Sequence, residues 1–408
     1  MSNDKYWEKY LERVKKTRRH YFFQKMHLLD GLSIQSLSKV LGWIKADLAY
    51  VTKWGLNILL QIRAYGNLIQ REYGTSYAQQ WLRLMYLTFV VPSIPKHYRT
   101  RLLFKQRNWE MADDFVLFHG RVQYDFVNRT SADEIEILRN KFKFCQYCDE
   151  LNIPCADVVA VYKQGEQIYQ NFDEYPVPAT DLFAKDLYGV AGDGAKKFTY
   201  KDGFYSDSSG KQYSSDQVIQ LIKTGSEKNS GVLVQKALEN HSSWKKFTSG
   251  GLITCRIVTA INPGDEHSII PMFSAVRMPL GNSDTDNYSK GGLIIPIDQQ
   301  TGIMGSGVTL KPYDDKFELS KHPNTMQQIE GESLPHWKEI LEFTLDLHSN
   351  FQTIFIGWDI SFTTEGCCVV EGNIGWASCS YEIPFQDSLK NTIYPELFEK
   401  WMDKIGAV

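Results

Sequence analysis

The feature that most restricts the possible folds is a change in hydrophobic periodicity near residue 130. Before this point apolar residues recur at steps of three and four, which is typical of amphipathic helices. The clearest helical face follows a candidate N-cap at Ser33 and consists of Ile34, Leu37, Leu41, Ile44, Leu48 and Val51. After residue 130, short β-like runs separated by turns predominate. The chain is therefore predicted to be α+β, with a mainly helical N-terminal region at residues 1–130.

The second part of the chain is predicted to begin with a helix over Asp133–Leu151 and to continue into a β-rich stretch with turns through residues 186–215. Later strands are predicted at Val232–Lys236, Gly251–Ile261, Ile269–Met278, Gly292–Ile297 and Thr353–Thr363. Later helices are predicted at Ser215–Thr224, Leu334–Ser349 and Tyr394–Ile405.

Composition restricts the class of partner and the cellular setting. With 45 Lys and Arg against 48 Asp and Glu, the net charge of −3 gives no indication of a nucleic-acid partner. The seven cysteines have no regular spacing, so no disulfide framework is expected, and Cys145 and Cys148 are interpreted as two buried thiols on one helix face. The N-terminus is charged and unlike a signal peptide. Because Leu56–Ile69 is too short and too polar to span a membrane, we expect a cytoplasmic protein.

A hairpin is predicted around residues 364–366. Two β-like runs flank this segment, and a three-residue loop that ends in glycine is typical of a bulged hairpin. Such a loop pairs Thr363 with Cys367. Four residues before Thr363 and four residues after Cys367, the same register pairs Asp359 with Glu371.

Three side chains with oxygen donors are expected to share one face of this hairpin. Asn373 lies two residues beyond Glu371 and therefore points to the same side as Glu371 and Asp359. Carboxylate and amide oxygens are ligands that suit Mg²⁺, which leaves coordination positions for nucleotide phosphates. A carboxylate pair at a solvent-exposed strand end is the alternative, and the pattern alone favours neither interpretation.

A glycine-rich stretch follows Lys185 and contains Gly189, Gly192 and Gly194. Glycines allow backbone N–H groups to approach phosphate oxygens, and a nearby lysine neutralises their charge. The stretch is not a P-loop, because Ala195-Lys196-Lys197 replaces the required Gly-Lys-Ser/Thr continuation and no hydroxyl is available for the metal. The chain also lacks the His-Arg-Asp catalytic loop of protein kinases. An ordinary glycine-rich hairpin tip remains the alternative interpretation.

Two arginines lie on predicted strands upstream of the hairpin. Arg256 alternates with an apolar face formed by Ile253, Cys255, Ile257 and Ile261, and Arg277 ends the following strand. Guanidinium groups held by rigid strands are suited to binding a phosphoryl group or a tetrahedral oxyanion. A surface ion pair is the alternative role for either arginine.

The helical region also contains two basic clusters. They consist of Arg13, Lys15, Lys16, Arg18 and Arg19, and of Lys96, Arg99, Arg101, Lys105 and Arg107. Solvated helix faces are the simpler interpretation. The alternative is a docking surface for a phosphorylated substrate or for an anionic membrane. For the helical region as a whole, a substrate platform, a homodimer surface and a membrane contact are all open interpretations.

Taken in chain order, these elements resemble those of an ATP-grasp enzyme, and most of all the ATP-grasp group found alongside polysaccharide and sugar-transfer genes. The resemblance extends from Asn140 to Gly375. Its most specific motifs are Val234-Gln235, Thr254-Cys255-Arg256-Ile257-Val258-Thr259, Arg277, Asp286-Asn287 with Gly291-Gly292, Gly357-Trp358-Asp359 and Glu371-Gly372-Asn373.

The resemblance implies an ATP-grasp fold, in which two α+β subdomains sandwich ATP. Residues 131–235 would form the small subdomain with a glycine-rich lid loop, and residues 236–408 the large subdomain with the metal site. The implied roles are phosphate binding by Lys141 and Lys185, lid closure by Gly189, Gly192 and Gly194, adenine contact by Gln235, ribose contact by Glu239, Mg²⁺ ligation by Asp359, Glu371 and Asn373, and binding of an acceptor carboxylate or acyl phosphate by Arg256 and Arg277.

Two positions depart from the family pattern. Asp186 follows Lys185 where proline is common, and Gln235 stands where glutamate is often found. A glutamine side-chain carbonyl can still accept a hydrogen bond from the adenine amino group, so the second departure is compatible with ATP binding.

The resemblance implies a carboxylate–amine ligase that makes an amide bond through an acyl phosphate, with a sugar carboxylate and an amino acid or other amine as substrates. An ATP-grasp phosphotransferase acting on a hydroxyl is one alternative. A non-catalytic nucleotide-binding protein is the other, and a complete set of metal ligands argues against it.

Overall fold

The structure is a computed structural model that describes residues 12, 37–91, 93–115, 130–172, 177–189, 194–248, 250–281 and 283–405. Between residues 37 and 50 it describes the backbone alone. The Ser33 N-cap, the Arg13–Arg19 cluster and Gly192 lie outside the described residues.

The described helices are α1 (Leu37–Tyr73), α2 (Tyr77–Met85), α3 (Lys96–Thr100), α4 (Gln106–Glu110), α5 (Ala132–Arg139), α6 (Lys141–Glu150), α7 (Ser215–Lys228), α8 (Ser242–Lys245), α9 (Trp337–Ser349), α10 (Cys379–Phe385) and α11 (Tyr394–Lys404). The described strands are β1 (Val158–Lys163), β2 (Glu166–Gln170), β3 (Leu182–Asp186), β4 (Lys196–Lys201), β5 (Phe204–Ser206), β6 (Gln212–Tyr213), β7 (Val232–Lys236), β8 (Thr254–Asn262), β9 (Asp265–Met278), β10 (Leu293–Ile297), β11 (Gly307–Tyr313), β12 (Lys316–Leu319), β13 (Phe355–Thr363) and β14 (Gly366–Asn373).

The chain divides into two compact units. One contains residues 1–121, 314–316 and 377–408, and the other contains residues 122–313 and 317–376. The expected segment 236–408 therefore extends beyond the second unit, because its last two helices belong to the first. Within the part of the chain that is described, no helix is both long enough and apolar enough to cross a membrane.

The first unit is helical, and its interior contains part of the second basic cluster. Arg101 is 1% exposed and donates from Nε to Oε2 of Glu382 at 2.9 Å, and Glu382 is itself fully buried. Arg99 is also buried and lies over the ring of Tyr65, 4.7 Å from its centroid. For these two arginines the interpretation as a solvated or docking face is wrong, since the fold uses both inside the unit. Lys96 is exposed.

The second unit contains two seven-stranded sheets, each with its own apolar core. The strand order is β2-β1-β7-β3-β4-β5-β6 in the first sheet and β12-β11-β10-β9-β8-β13-β14 in the second. In the second sheet β13 is buried along its whole length, and it packs with α9 and α6 around Trp358. This burial fixes the side chains of β13 on a rigid support.

The helix predicted over Asp133–Leu151 is in fact two helices. The break is at Asn140, whose backbone is extended and whose Oδ1 accepts from the N–H groups of Phe142 at 3.1 Å and Lys143 at 3.3 Å. Asparagine at an N-cap satisfies donors that would otherwise remain unpaired, so a new helix begins here. Lys141 becomes the first residue of α6.

The last hairpin differs from the prediction in its turn. Thr363 pairs with Gly366 and not with Cys367, so the loop has two residues. A β-bulge just after Asp359 then shifts the register by one residue. The two differences cancel, and Asp359 pairs with Glu371 as predicted.

Candidate functional site

A buried and a half-buried carboxylate face each other across the last hairpin. Asp359 on β13 pairs with Glu371 on β14 and is only 2% exposed. Burial disfavours ionisation of Asp359, but the charges of Arg256 and Arg277 outweigh it and hold the pKa of Asp359 well below its usual range. Burial, reinforced by the charge of Asp359, raises the pKa of Glu371. The charge of Glu371 is therefore the less well compensated of the two.

Two arginines from neighbouring strands hold Asp359. Arg256 lies directly opposite Asp359 on β8 and donates from Nε to Oδ1 at 2.5 Å and from Nη2 to Oδ2 at 3.0 Å. Arg277 on β9 reaches the same Oδ2 through Nη2 at 2.8 Å. Both were predicted to bind an acceptor group, and in this structure both surround the predicted metal ligand.

Arg277 has a second set of partners that was given no role from the sequence. Thr254 Oγ1 accepts from Arg277 Nε at 3.1 Å and from Nη2 at 2.7 Å, and it donates to Asp286 Oδ2. Asp286 is 6% exposed, and burial raises its pKa although Arg277 opposes the shift. The available signal was the alternation of Thr254 with Arg256, which places both side chains on one face of β8.

Two lysines approach the same carboxylates from the other side. Lys185 on β3 is 8% exposed, and its ammonium forms no ion pair or hydrogen bond with the described part of the chain. Lys141 donates from Nζ to the carbonyl of Gly189 at 2.5 Å. Burial lowers the pKa of Lys141, and the nearby charge of Lys185 lowers it further, although Glu371 opposes the shift. Two ammonium groups close together and without a carboxylate partner are suited to a polyphosphate.

Asp186 replaces the proline that the family pattern suggests, and it organises the turn that leads to Gly189. Its Oδ1 accepts from the backbone N–H of Tyr188 at 3.0 Å and from the hydroxyl of Ser230 at 2.6 Å. A side chain that satisfies backbone groups in a turn restricts the turn conformation as proline does by other means.

Gln235 on β7 is buried beside this charged group. Its Nε2 donates to the carbonyl of Ala156 at 3.0 Å and to Cys145 Sγ at 3.3 Å, while its Oε1 accepts no hydrogen bond from described residues. The inward contacts fix the amide in one orientation. The carbonyl oxygen is therefore the end left for a ligand.

One cavity connects these residues, with about 1010 Å³ of empty space that is partly open to solvent. Seven predicted site residues line it: Lys141, Lys185, Gly189, Gln235, Arg277, Asp359 and Glu371. Its apolar walls include Ala156, Phe183, Leu238 and Val370. A cavity lined by both apolar and highly charged residues is suited to a nucleotide, which has an apolar base and a charged polyphosphate.

Four other predicted residues do not line this cavity. Arg256 donates a hydrogen bond to Asp359, which does line the cavity. In the same way Asn373 donates from Nδ2 to Oε1 of Glu371 at 3.3 Å. The Glu239 side chain is 64% exposed and pairs with Lys245 at a neighbouring groove. Gly194 is exposed, at the described end of the glycine-rich stretch.

The residues present fit a divalent cation and a polyphosphate. Burial and the charge of Asp359 both raise the pKa of Glu371, and a cation between the two carboxylates would offset both effects. Among the described residues no group of three or more His, Cys, Asp or Glu is arranged to hold a metal ion. The predicted ligand set is of another kind, with two carboxylates and the amide of Asn373.

Comparison with protein families gives one match. A family model described as sugar-transfer associated ATP-grasp matches residues 122–394. This range contains every predicted site residue. No curated protein sequence matches the chain.

Several solved structures are similar to this chain. D-alanine–D-alanine ligase from Bacillus anthracis is 16% identical, with 73% of this chain and 83% of that chain covered and a TM-score of 0.38. D-alanyl-alanine synthetase A from Vibrio cholerae is 14% identical, with 67% of each chain covered and a TM-score of 0.38. L-amino acid ligase from Bacillus licheniformis is 9% identical, with 65% of this chain and 51% of that chain covered and a TM-score of 0.34.

Proposed function

Since the chain belongs to the sugar-transfer associated ATP-grasp family, we propose that it is an ATP- and Mg²⁺-dependent ligase that joins a carboxylate to an amine. The expectation of an ATP-grasp fold after a mainly helical region is confirmed by the family match and by the two sheets of the second unit. The proposed acceptor is a sugar carboxylate and the proposed nucleophile is an amino acid or another amine.

One observation carries the proposal. Within one cavity, the ammonium groups of Lys141 on α6 and Lys185 on β3 oppose the carboxylates of Asp359 on β13 and Glu371 on β14. Among the described residues neither lysine forms an ion pair, and Glu371 has no Lys or Arg within ion-pair distance, although the charges of Lys141 and Lys185 act on it. A nucleotide polyphosphate with Mg²⁺ would supply the missing charges of both signs.

Each residue then has a role at a stated atom. Nζ of Lys141 and of Lys185 would bind phosphate oxygens, and Gln235 Oε1 would accept from the adenine amino group. Asp359, Glu371 and Asn373 would hold Mg²⁺, which supplies charge neutralisation at the transferring phosphoryl group when it is bound. Glu239 would need to move from its partner Lys245 to reach the ribose.

Arg277 would bind the acceptor. Two of its nitrogens are occupied by Thr254 and Asp359, but Nη1 forms no hydrogen bond with described residues, and Arg277 lines the cavity. The carboxylates around it raise its pKa despite burial, so it stays charged. Arg256 donates two hydrogen bonds to Asp359, so its proposed role is to position Asp359. It would act on the acceptor only indirectly.

The reaction needs no protein nucleophile. A carboxylate oxygen of the acceptor attacks the γ-phosphorus of ATP, and ADP leaves. The amine then attacks the acyl carbon of the resulting acyl phosphate, and inorganic phosphate leaves with the former carboxylate oxygen. The contribution of the protein is orientation and electrostatic stabilisation.

The oxygen balance provides the test. Uronic acids labelled with ¹⁸O in the carboxylate would be incubated with ATP, Mg²⁺ and a panel of amines, and phosphate and product would be analysed by mass. A ligase transfers one ¹⁸O to inorganic phosphate, makes an amide that has lost water, and gives a hydroxamate when hydroxylamine replaces the amine. A phosphotransferase leaves the phosphate on the product, and nucleotide binding without turnover would support a non-catalytic protein.

Glu371→Gln provides the matched loss of function. It removes the charge of one predicted metal ligand and keeps the shape, so we expect ¹⁸O transfer to disappear while the protein stays folded. Glu365→Gln, on the exposed turn of the same hairpin, is the control and should keep full activity. Full activity of Glu371→Gln would contradict the metal assignment.

A further inference from the structure

Exposed apolar side chains are concentrated in the helical unit. Nine of the 18 exposed large apolar side chains in the described chain lie between residues 51 and 94. They are Val51, Leu56, Leu59, Leu60, Tyr77, Trp81, Leu82, Val90 and Ile94. A concentration of this kind is typical of an interaction surface, whereas isolated exposed apolar residues are ordinary.

The centre of this surface is one face of α1. Leu56, Leu59 and Leu60 are 55%, 58% and 51% exposed, and their spacing places them on one side of the helix. Lys53 precedes them by one turn and Arg63 follows them by one turn on the same side. We call these five residues the α1 stripe: three leucines with a cation at each end.

A second helix adds exposed apolar groups to the first. α2 packs against α1 at Gly66, whose carbonyl accepts from Gln80 Nε2 at 2.9 Å. On the outside of α2, Trp81 is 44% exposed and Leu82 is 61% exposed. Tryptophan with an exposed apolar body is favoured at the boundary between lipid and water.

The charges near the stripe have one sign and are not neutralised. Lys53, Arg63 and Lys96 are exposed and form no ion pair with described residues. The only acidic residue from 51 to 94 is Glu72, which pairs with Arg71. Residues 1–94 contain 14 Lys and Arg against 6 Asp and Glu, whereas the other 314 residues contain 31 against 42. The region that carries the apolar surface thus has a net positive charge, whereas the rest of the chain has a net negative charge.

We propose that the α1 stripe docks the protein on the surface of an anionic lipid membrane, with the leucines entering the headgroup boundary and the flanking cations contacting lipid phosphates and carboxylates. An apolar helix face flanked by cations is the pattern of helices that lie in the membrane plane. A second copy of the chain is a poorer occupant, because two surfaces that carry only cations are not complementary. The proposal does not depend on the ligase assignment.

Vesicle sedimentation with the full chain tests the proposal. Phosphatidylcholine vesicles with about 30% phosphatidylserine would be compared with phosphatidylcholine alone, at low salt and at high salt. We expect binding to the anionic vesicles that salt weakens, and at least about tenfold less binding to the neutral vesicles. Equal binding to both vesicle types, or to neither, would overturn the proposal.

Two variants locate the contact. Leu59→Asp/Leu60→Asp should reduce the vesicle partition coefficient by at least about tenfold, and Lys53→Glu/Arg63→Glu should remove the preference for phosphatidylserine. The controls are Leu221→Asp, at a 42% exposed leucine of α7, and Lys228→Glu at the end of that helix. Thermal melting would verify that every variant is folded.

Two results would assign the surface differently. If the wild-type protein sediments as a dimer in solution and Leu59→Asp/Leu60→Asp makes it monomeric without changing vesicle binding, the stripe is a self-association surface and the proposal is wrong. The proposal is also wrong if both stripe variants bind anionic vesicles as well as the controls do.

Discussion

Both units bury an arginine against a carboxylate, but the two groups differ in how the charges are balanced. In the helical unit Arg101 and Glu382 form one pair, and neither side chain is more than 1% exposed. In the second unit Asp359 receives two arginines and forms part of a cavity wall. We call Arg101 and Glu382 the closed pair, because both side chains are enclosed by the helical unit. We call Asp359 and the charged residues around it the open group, because they line a cavity.

The balance of charge distinguishes a structural pair from a binding site. Around Asp359 the carboxylates of Asp286 and Glu371 and the ammonium groups of Lys141 and Lys185 are also buried or nearly so, and most have shifted pKa values. Uncompensated buried charge is costly, and it persists where a ligand completes the set. Arg101 and Glu382 balance each other's charge inside the helical unit, so no ligand is needed to neutralise this pair.

The largest expected effect is a loss of turnover when a residue of the open group is replaced. Asp359→Asn removes the ionised oxygens that hold both arginines and that would bind Mg²⁺. We expect ADP formation to fall on the order of 10⁴-fold, which corresponds to about 5.5 kcal/mol in the barrier. Asp346→Asn, at an exposed carboxylate of α9, is the control. Activity within tenfold of wild type would place the essential carboxylate elsewhere.

The next largest effect should be on stability through the closed pair. Arg101→Met removes the arginine that pairs with the buried Glu382, which is expected to reduce the free energy of unfolding by about 3–5 kcal/mol. Urea denaturation measures this loss, and ADP formation at a temperature where the variant is folded should be unchanged. The exposed Arg107→Met should change neither quantity. A loss of turnover in folded Arg101→Met would mean that the two groups are not distinct in function.

A smaller effect is expected on nucleotide affinity. Lys185→Met removes one charge-assisted contact to phosphate, worth about 1.5–3 kcal/mol, so the dissociation constant for an ATP analogue should rise about 10- to 100-fold. Calorimetry measures the change, with Lys163→Met at the exposed end of β1 as control. Unchanged affinity would show that Lys185 does not contact the nucleotide.

The smallest expected effect is an exchange of protons between the protein and the buffer when Mg²⁺–nucleotide binds. It should amount to less than one proton per site on the acid side and on the alkaline side. Burial raises the pKa of Glu371, so on the acid side binding of Mg²⁺–nucleotide should release a proton from Glu371, and affinity should fall as the pH is lowered. Burial lowers the pKa of Lys141, so on the alkaline side binding should take up a proton. Calorimetry in buffers with different ionisation enthalpies measures both signs. If Glu371→Gln still releases a proton when the nucleotide binds on the acid side, the proton comes from another group.

Predictions from the sequence succeeded where local alternation decides the outcome. Arg256 alternates with an apolar face, and in the structure it lies opposite that face, beside Asp359. The predictions failed where one residue changes the path of the chain. Asn140 could be read as an interior helix residue, but its N-cap hydrogen bonds begin a second helix and bring Lys141 to the cavity. The pairing of Asp359 with Glu371 was correct only because a bulge offset the shorter turn.

The sequence by itself determined which residue types were available and which of them share a strand face, because side-chain alternation is a local property of an extended backbone. It also carried the ordered motifs that match the family. Only the tertiary structure decided which charges are neutralised. Arg101 and Glu382 are 281 residues apart, Lys141 and Glu371 lie in separate elements, and burial is set by everything that packs around them. Local sequence does not encode such distances, so the difference between a closed ion pair and an open site appears only in the folded chain.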